Sequence, residues 1–426
     1  MDKLLAVRLG FVFVIVVSGG YVAAAFVTAA DSPAISEAPP TQNITVATTT
    51  RVRQAQAKEN GEIVAYAPDG SILYYNETLN IYDDVDPVEG EDATVEYVGA
   101  KHLPPEDCPN TVRCSRNVVE RVDLSSGETT RLYAEVTKGT TNTRWHDVDR
   151  INESHLLVGD ISEHRIFVVD HRRDEITWTW NASDYFDPNS TGGDYPGDWA
   201  HLNDVEMLED GRIVTSLRNL DVVVFIRPDE GVLEEWTLGG PGSDRLHGQH
   251  NPDYIPEENG GPALLIADSG ANRIVEFQRV NGSWERSWVW KDRRLSWGRD
   301  ADRLPGGNTL ITDTNGNRVL EVDERGEVVW QVRVPTGYEA ERVATGDESE
   351  SGNSAQSLGL ESQYVDERVP LPTYFVHSAQ YLAPVWLDLT GVGLAIISVC
   401  GTFVWGLFEV WTRVRRSGSR GRNVAH

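Results

Sequence analysis

Four stretches of this 426-residue chain open on a polar residue able to bind or move charge: His146 in HDVDRINESHLLVGD, Asn203 in NDVEMLEDGRIVTSL, His250 in HNPDYIPEENGGPALLIADS and Arg299 in RDADRLPGGNTLITDT. A neutral imidazole is a nucleophile and a proton carrier, an arginine is a permanent planar fork of donors, and an asparagine adds uncharged N–H groups. Two further histidines stand close by, His201 in WAHLND and His247 in HGQH. A single histidine in such a column is ordinarily a hydrogen-bonded structural residue. His146, His201 and His250 in register with arginine instead suit an anion on which negative charge spreads during reaction.

The elements that would hold these residues repeat. The four starts are 57, 47 and 49 residues apart, and each reads as a short strand, a turn of Gly, Asn, Asp or Glu, and a β-branched strand. A second shared piece follows in ADSGANRIVEF from Ala267 and TDTNGNRVLEVD from Thr312, with GDISEHRIFVVD from Gly159 as a looser copy, and then a Trp-containing strand such as SWERSWVW from Ser283. Four strands in roughly 50 residues, repeated, are the mark of a propeller blade. Weaker copies at Asn117 and between Gly61 and Val98 extend the pattern, so an all-β, six-bladed β-propeller is expected over 61–335. Rotation about one axis would bring the first column to one height around the channel. Trp145, Trp199 and Trp297 beside these heads are candidates for stacking an aromatic ligand, with blade packing as the plainer reading.

His146-Asp147, His201-Leu202-Asn203, Ser216-Leu217-Arg218 and Gly248-Gln249-His250 occur in an order that resembles the arylsulfate sulfotransferases, the PAPS-independent enzymes with a six-bladed propeller. The resemblance covers about residues 140 to 335 well and 60 to 140 poorly. It implies an aryl sulfate donor, a phenolic or glycan hydroxyl acceptor and a sulfohistidine intermediate. His250 would be the nucleophile, with His146, His201, Asn203 and Arg218 as the anion-binding and acid/base group. Arg299 and His247 are added as substrate-binding candidates from their place in the repeat. No cofactor and no metal is expected, since no HxH or HExxH pair fixes two ligands on one element and the Arg218 match disfavours a cation. The rival is a non-enzymatic, NHL-like binding or scaffold propeller, which ADSGANRI and TDTNGNRV also resemble.

Net charge near −28, from 66 acidic against 38 basic residues, argues against a nucleic-acid partner. Only 5 of those basic residues are Lys, an acidic, Lys-poor composition that resembles proteins of extreme halophiles. Leu9 to Ala30 and Leu389 to Phe408 are uncharged and long enough to span a bilayer. A cleaved signal peptide is the competing reading of the first. Lys3 and Arg8 before one span, and arginines from Arg413 onward after the other, place both termini in the cytoplasm and the region between them outside. Cys108 and Cys114, the cysteines outside the spans, then read as a disulfide, and six Asn-x-Ser/Thr sequons at Asn43, Asn76, Asn152, Asn181, Asn189 and Asn281 agree with that side. The expected organisation is a cytoplasmic N-terminus 1–8, a membrane helix or anchor 9–30, a linker 31–60, the propeller 61–335, an acidic linker 336–388, a membrane helix 389–408 and a basic cytoplasmic tail 409–426.

Overall fold

The computed structural model describes residues 3–28, 43–50, 60–365, 373–384 and 386–422. Contacts divide the chain into a β unit, Pro33–Arg53 with Glu59–Thr373, and a helical unit, Met1–Ser32, Gln54–Lys58 and Tyr374–His426.

The β unit is a six-bladed propeller. Five consecutive sheets begin at Ile81–Pro87, Trp145–Arg150, Leu202–Met207, His250–Ile255 and Gly298–Arg303. The sixth is assembled from both ends of the unit, with Gly337–Arg342 inside and Thr45–Thr49, Ile63–Tyr66 and Ile72–Asn76 following outward. Thr45–Thr49 bonds antiparallel to Gly337–Arg342, so the first strand of the unit closes the ring against the last. The segments 31–60 and 336–388 read as linkers therefore both enter the propeller. The period was harder to see there because this blade is split across the chain. Gln363–Val365 adds a parallel fifth strand to the blade that starts at His250.

The first strand of each blade touches the first strands of its two neighbours, closing a ring around the channel. Between blades lie buried Val, Ile, Leu and aromatic side chains, for example Val148, Leu156, Phe167 and Trp145. Three blades share a latch in the turn between their second and third strands. Arg165 pairs with Asp160 (3.0 Å), Arg273 with Asp268 (2.7 Å) and Arg318 with Asp313 (2.9 Å), each across the fifth residue of the turn, which adopts positive φ in all three. Cys108 and Cys114 form a disulfide in the first blade.

A register shift falls at the start of each inner strand, between Trp145 and Asp147, Leu202 and Val205, His250 and Pro252, and Gly298 and Asp300, with counterparts in the other two blades. A bulge inserts an unpaired residue and re-aims its side chain. This is why a polar residue can head every inner strand while the next apolar residue still packs between blades.

In the helical unit, Lys3–Thr28 and Leu389–Arg422 are each long and apolar enough to cross a membrane. They lie antiparallel, with Arg8 in a bidentate pair with Glu409 (2.6 and 2.7 Å) and Phe11 against Phe408. The second helix runs past the Leu389–Phe408 span into the arginine-rich tail.

Candidate functional site

Six residues head the inner strands at one end of the channel: Asp83, His146, Asn203, His250, Arg299 and Tyr338. His146 and His201 meet edge to face at 5.1 Å between ring centroids, and Tyr338 stands edge-on to both His146 (5.4 Å) and His250 (6.5 Å). Arg299 lies over the Tyr338 ring at 4.8 Å. The structure thus gathers His146, His201, Asn203, His250 and Arg299 into one buried cluster, with Arg218 at its rim, where its side chain keeps 18% of its exposure.

The hydrogen bonds assign the tautomer of His250. Its Nδ1 lies 3.2 Å from the Gly248 carbonyl, an acceptor only, and 2.8 Å from Ser269 Oγ. The Ser269 hydroxyl has its own acceptor in the Gly298 carbonyl at 2.5 Å. Nδ1 must then carry the proton, which leaves the lone pair on Nε2, a buried atom with no partner among the described residues. Gly248 adopts φ +59, a left-handed conformation unfavourable for a side chain, and so turns its carbonyl toward the ring. Gln249 braces the same turn by donating to Ser216 Oγ (3.1 Å) and the Val222 carbonyl (3.0 Å).

His146 is arranged alike. The Tyr338 hydroxyl donates to the Asn203 carbonyl (3.2 Å), so His146 Nδ1, 3.1 Å away, donates to the phenol oxygen and leaves a buried, unpartnered Nε2. His201 sits at φ +52 with its Nδ1 donating to Asp198 Oδ1, and the other oxygen of Asp198 lies 3.5 Å from Arg218 Nη2. Arg218 also places Nε and Nη2 on Asn219 Oδ1 at 3.0 and 2.9 Å, which holds its fork flat. Asn203 donates Nδ2 to the Gln249 carbonyl (3.3 Å) and keeps Oδ1 unpartnered. Arg299 donates to Thr50 Oγ1 (3.3 Å) and keeps its buried Nε without a partner.

Burial and cationic neighbours hold all three imidazoles neutral. For His146 and His250, loss of solvent and then the nearby guanidinium charges push the pKa well below its usual value. His201 falls to about 3, because burial and Arg218 outweigh the opposing pull of Asp198. Burial alone would raise Asp198, but the hydrogen bond from His201 and the charge of Arg218 bring it below the usual range, so the pair is a carboxylate beside a neutral imidazole. Burial brings Arg299 down to about 10, still a cation at neutral pH. Asp83, lifted by burial to about 6, is paired with Arg144 at 2.8 Å. The mouth is therefore a set of lone pairs and N–H donors under guanidinium charge, which suits a tetrahedral oxyanion.

His247 stands apart. Its side chain is exposed, its backbone N–H donates to Asp268 Oδ1 (2.7 Å), and among the described residues no hydrogen bond or ring contact joins it to the histidine cluster. The tryptophans divide. Trp145 packs on Tyr133 and Phe167, and Trp199 donates to the Thr191 carbonyl and packs on His164, so both are blade packing. Only Trp297 faces the site, 5.9 Å from the His250 ring.

Sequence reasoning missed Tyr338, Asp198, Ser269 and the Asp83–Arg144 pair. Tyr338 and Asp83 had a signal: YEAER at 338–342 and DDVD at 83–86 repeat the pattern of RDADR at 299–303. Asp198 had none, since it lies in an irregular stretch between blades.

A family model described as Arylsulfotransferase (ASST) matches residues 137–265. That stretch holds His146, His201, Asn203, Arg218 and His250 and ends before Arg299. No curated protein matches the chain. Among solved structures, a Bacteroides caccae protein of unknown function is 12% identical with a TM-score of 0.47, covering 70% of this chain and 98% of its own. A putative 6-phosphogluconolactonase from Bacteroides fragilis is 12% identical with a TM-score of 0.46, covering 71% and 99%. The Pseudomonas aeruginosa periplasmic gluconolactonase PpgL is 13% identical with a TM-score of 0.45, covering 71% and 99%.

Proposed function

We propose that this propeller transfers a sulfuryl group from an aryl sulfate ester to a phenolic or other hydroxyl acceptor through a sulfohistidine on His250. The observation that carries the reading is the bare Nε2 of His250, left with its lone pair by the Gly248 carbonyl and set among Arg218, Arg299 and two more neutral imidazoles. The match to the arylsulfotransferase model over 137–265 supports the same reaction class.

In the first half-reaction Nε2 attacks sulfur in line with the aryl oxygen. The N–S bond forms as the S–O bond breaks, and the aryloxide leaves with the electron pair. Arg218, Arg299 and Asn203 donate to the sulfuryl oxygens, where charge is spread in the transition state. Binding an anion raises the proton affinity of adjacent imidazoles, so His146 or His201 enters the reaction protonated and gives that proton to the aryloxide. In the second half the acceptor hydroxyl returns a proton to the same imidazole as its oxygen attacks sulfur, and His250 is regenerated. Nδ1–H stays on the Gly248 carbonyl throughout and stabilises the positive charge that the imidazole gains.

The two terminal helices would hold the propeller at the outer face of the cell membrane, with both termini inside. The Arg8–Glu409 pair supports that parity by joining the N-terminal part of the first helix to the C-terminal part of the second.

The test uses the full chain in detergent and molar NaCl. It follows nitrophenol release from 4-nitrophenyl sulfate with and without phenol, and seeks a phosphate-free, acid-labile mass increase of one sulfuryl group on His250. Acceptor-dependent turnover that disappears in His250→Ala supports the reading. A folded protein inactive on a panel of aryl sulfates refutes it in favour of the binding propeller.

A further inference from the structure

Below the histidine mouth, the channel is walled by carboxylates that the transfer reaction does not use. The residue after the head is Asp or Glu in five inner strands and Asn251 in the sixth, and two positions further on all six strands carry Asp or Glu. Part of this has a structural reason. An inner strand is a sheet edge whose outward N–H groups lack a ladder partner, and the carboxylates of one blade accept them from the next. Asp84 accepts from the Val148 N–H (2.8 Å), Glu206 from Tyr254 (3.1 Å) and Asp300 from Ala340 (3.0 Å).

That role leaves oxygens over. Asp204 and Asp302, each 1% exposed, have no partner at either carboxylate oxygen among the described residues. Asp253 places Oδ2 on the Ser349 hydroxyl (2.5 Å) and leaves Oδ1 buried and unpartnered. One oxygen from each of Asp253, Asp300 and Asp302 lies within 4.8 Å of the others. Points so spaced lie no more than about 2.8 Å from a common centre, so a small inward shift reaches the usual calcium–oxygen distance of about 2.4 Å.

A neutral group points into the same lumen. The Asn251 side chain reaches past a whole blade to donate Nδ2 to Glu339 Oε2 (3.0 Å), so its amide lies inside the channel, and its Oδ1 is buried without a partner. The guanidinium nearest in sequence, Arg303 of the same strand, feels the charge of Asp253 but places its Nη2 on Glu276 at 3.1 Å. Burial, and then the charge of Asp300, lifts both Asp253 and Asp302 well above the usual carboxylate range. An ion at their centre would remove that cost. An all-oxygen set of carboxylates selects a hard divalent cation over a transition metal.

We propose that Asp253, Asp300 and Asp302 bind a calcium-class divalent cation in the propeller channel. The ion ties the strand that carries His250 to the strand that carries Arg299, since Asp253 lies three residues beyond the first and Asp300 and Asp302 follow the second. The site is separate from the sulfuryl-transfer mouth and does not depend on that reading.

Full-length protein in detergent is stripped with EGTA and dialysed against radioactive Ca2+ over a constant NaCl background. The expected result is a saturable site half-filled at or below about 1 mM, with a rise in melting temperature that Na+ at equal ionic strength does not reproduce. Asp302→Asn should weaken binding at least tenfold, whereas Asp123→Asn on the surface should leave it unchanged. Crystals soaked in Mn2+ give a readout that needs no variant, an anomalous peak within bonding distance of Asp253 and Asp302. Absence of saturable binding by the wild type, equal binding by a folded Asp302→Asn protein, or a peak confined to Asp84, Asp86 and Glu339 would each overturn the assignment.

Discussion

The two levels of the channel wall belong to the same six strands, one residue apart, yet they answer burial in opposite ways. At the mouth, burial strips protons from His146, His201 and His250 and leaves neutral bases beside guanidinium groups. One step along, burial and mutual repulsion press protons onto Asp147 and Asp204. Burial penalises whichever form is charged, so the chemistry of a level follows from which residue type the repeat places there. An anion is drawn to the mouth and a cation or proton to the level below. The local set of charges matters more than the total of −28.

The largest expected effect tests the mouth alone. His250→Ala removes the Nε2 lone pair that the Nδ1–H bond to the Gly248 carbonyl leaves free, and should lower acceptor-dependent turnover by about 1,000-fold or more, with unchanged circular dichroism. Arg218→Ala should cost on the order of 100- to 1,000-fold in kcat/KM, and Arg218→Lys should recover little because a point charge does not replace a planar fork. Asp198→Asn keeps the shape but presents His201 with an amide that can bond either tautomer. We expect a loss on the order of 100-fold and a displaced pH profile, with the melting temperature within a few degrees of wild type.

The pH dependence of stability sets the two levels against each other. The folded pKa values of Asp84, about 6, and of Asp149 and Asp300, about 7, lie above the unfolded value near 3.9. Their contribution is complete below about pH 4 and is lost as pH rises through about 7. His201, with a folded pKa of about 3 against about 6.5 unfolded, contributes fully above 6.5 and loses that contribution as pH falls toward 3. Calorimetry in EGTA at low salt should therefore show stability falling on both sides of a mildly acidic optimum. Asp300→Asn should flatten the alkaline limb and leave the acid limb. A melting temperature that is constant from pH 5 to 8 would break the contrast.

The smallest effect is expected at His247. Its exposed ring lies apart from the cluster, and His247→Ala should keep kcat/KM within about threefold, roughly 0.6 kcal/mol. A larger loss would show that substrate reaches beyond the mouth.

One blade shows how much a repeat can disclose. Where three turns carry the Asp and Arg latch, the turn after Ile213–Leu217 has Leu217 and Val222 at those positions and Arg218 where its neighbour has Ser269. Departure from the repeat thus marks the blade that presents a guanidinium to the rim. The same alignment makes Tyr338 and Asp83 legible as heads of the two remaining inner strands. Asp198, Ser269 and the Arg144 pair were not legible, because each acts through a partner that the local pattern does not name.

The sequence by itself determined the blade period, the column of polar heads, the disulfide pair and the two apolar helices, since each is a local spacing that backbone geometry turns directly into structure. Tertiary structure decided the rest: the closure of the ring by Thr45–Thr49, the separation of His247 from the other histidines, and the nitrogen of His250 that keeps its lone pair. Those outcomes depend on which groups meet after residues hundreds of positions apart are brought around one axis. A proton's position and a side chain's charge in a buried site are set by those neighbours.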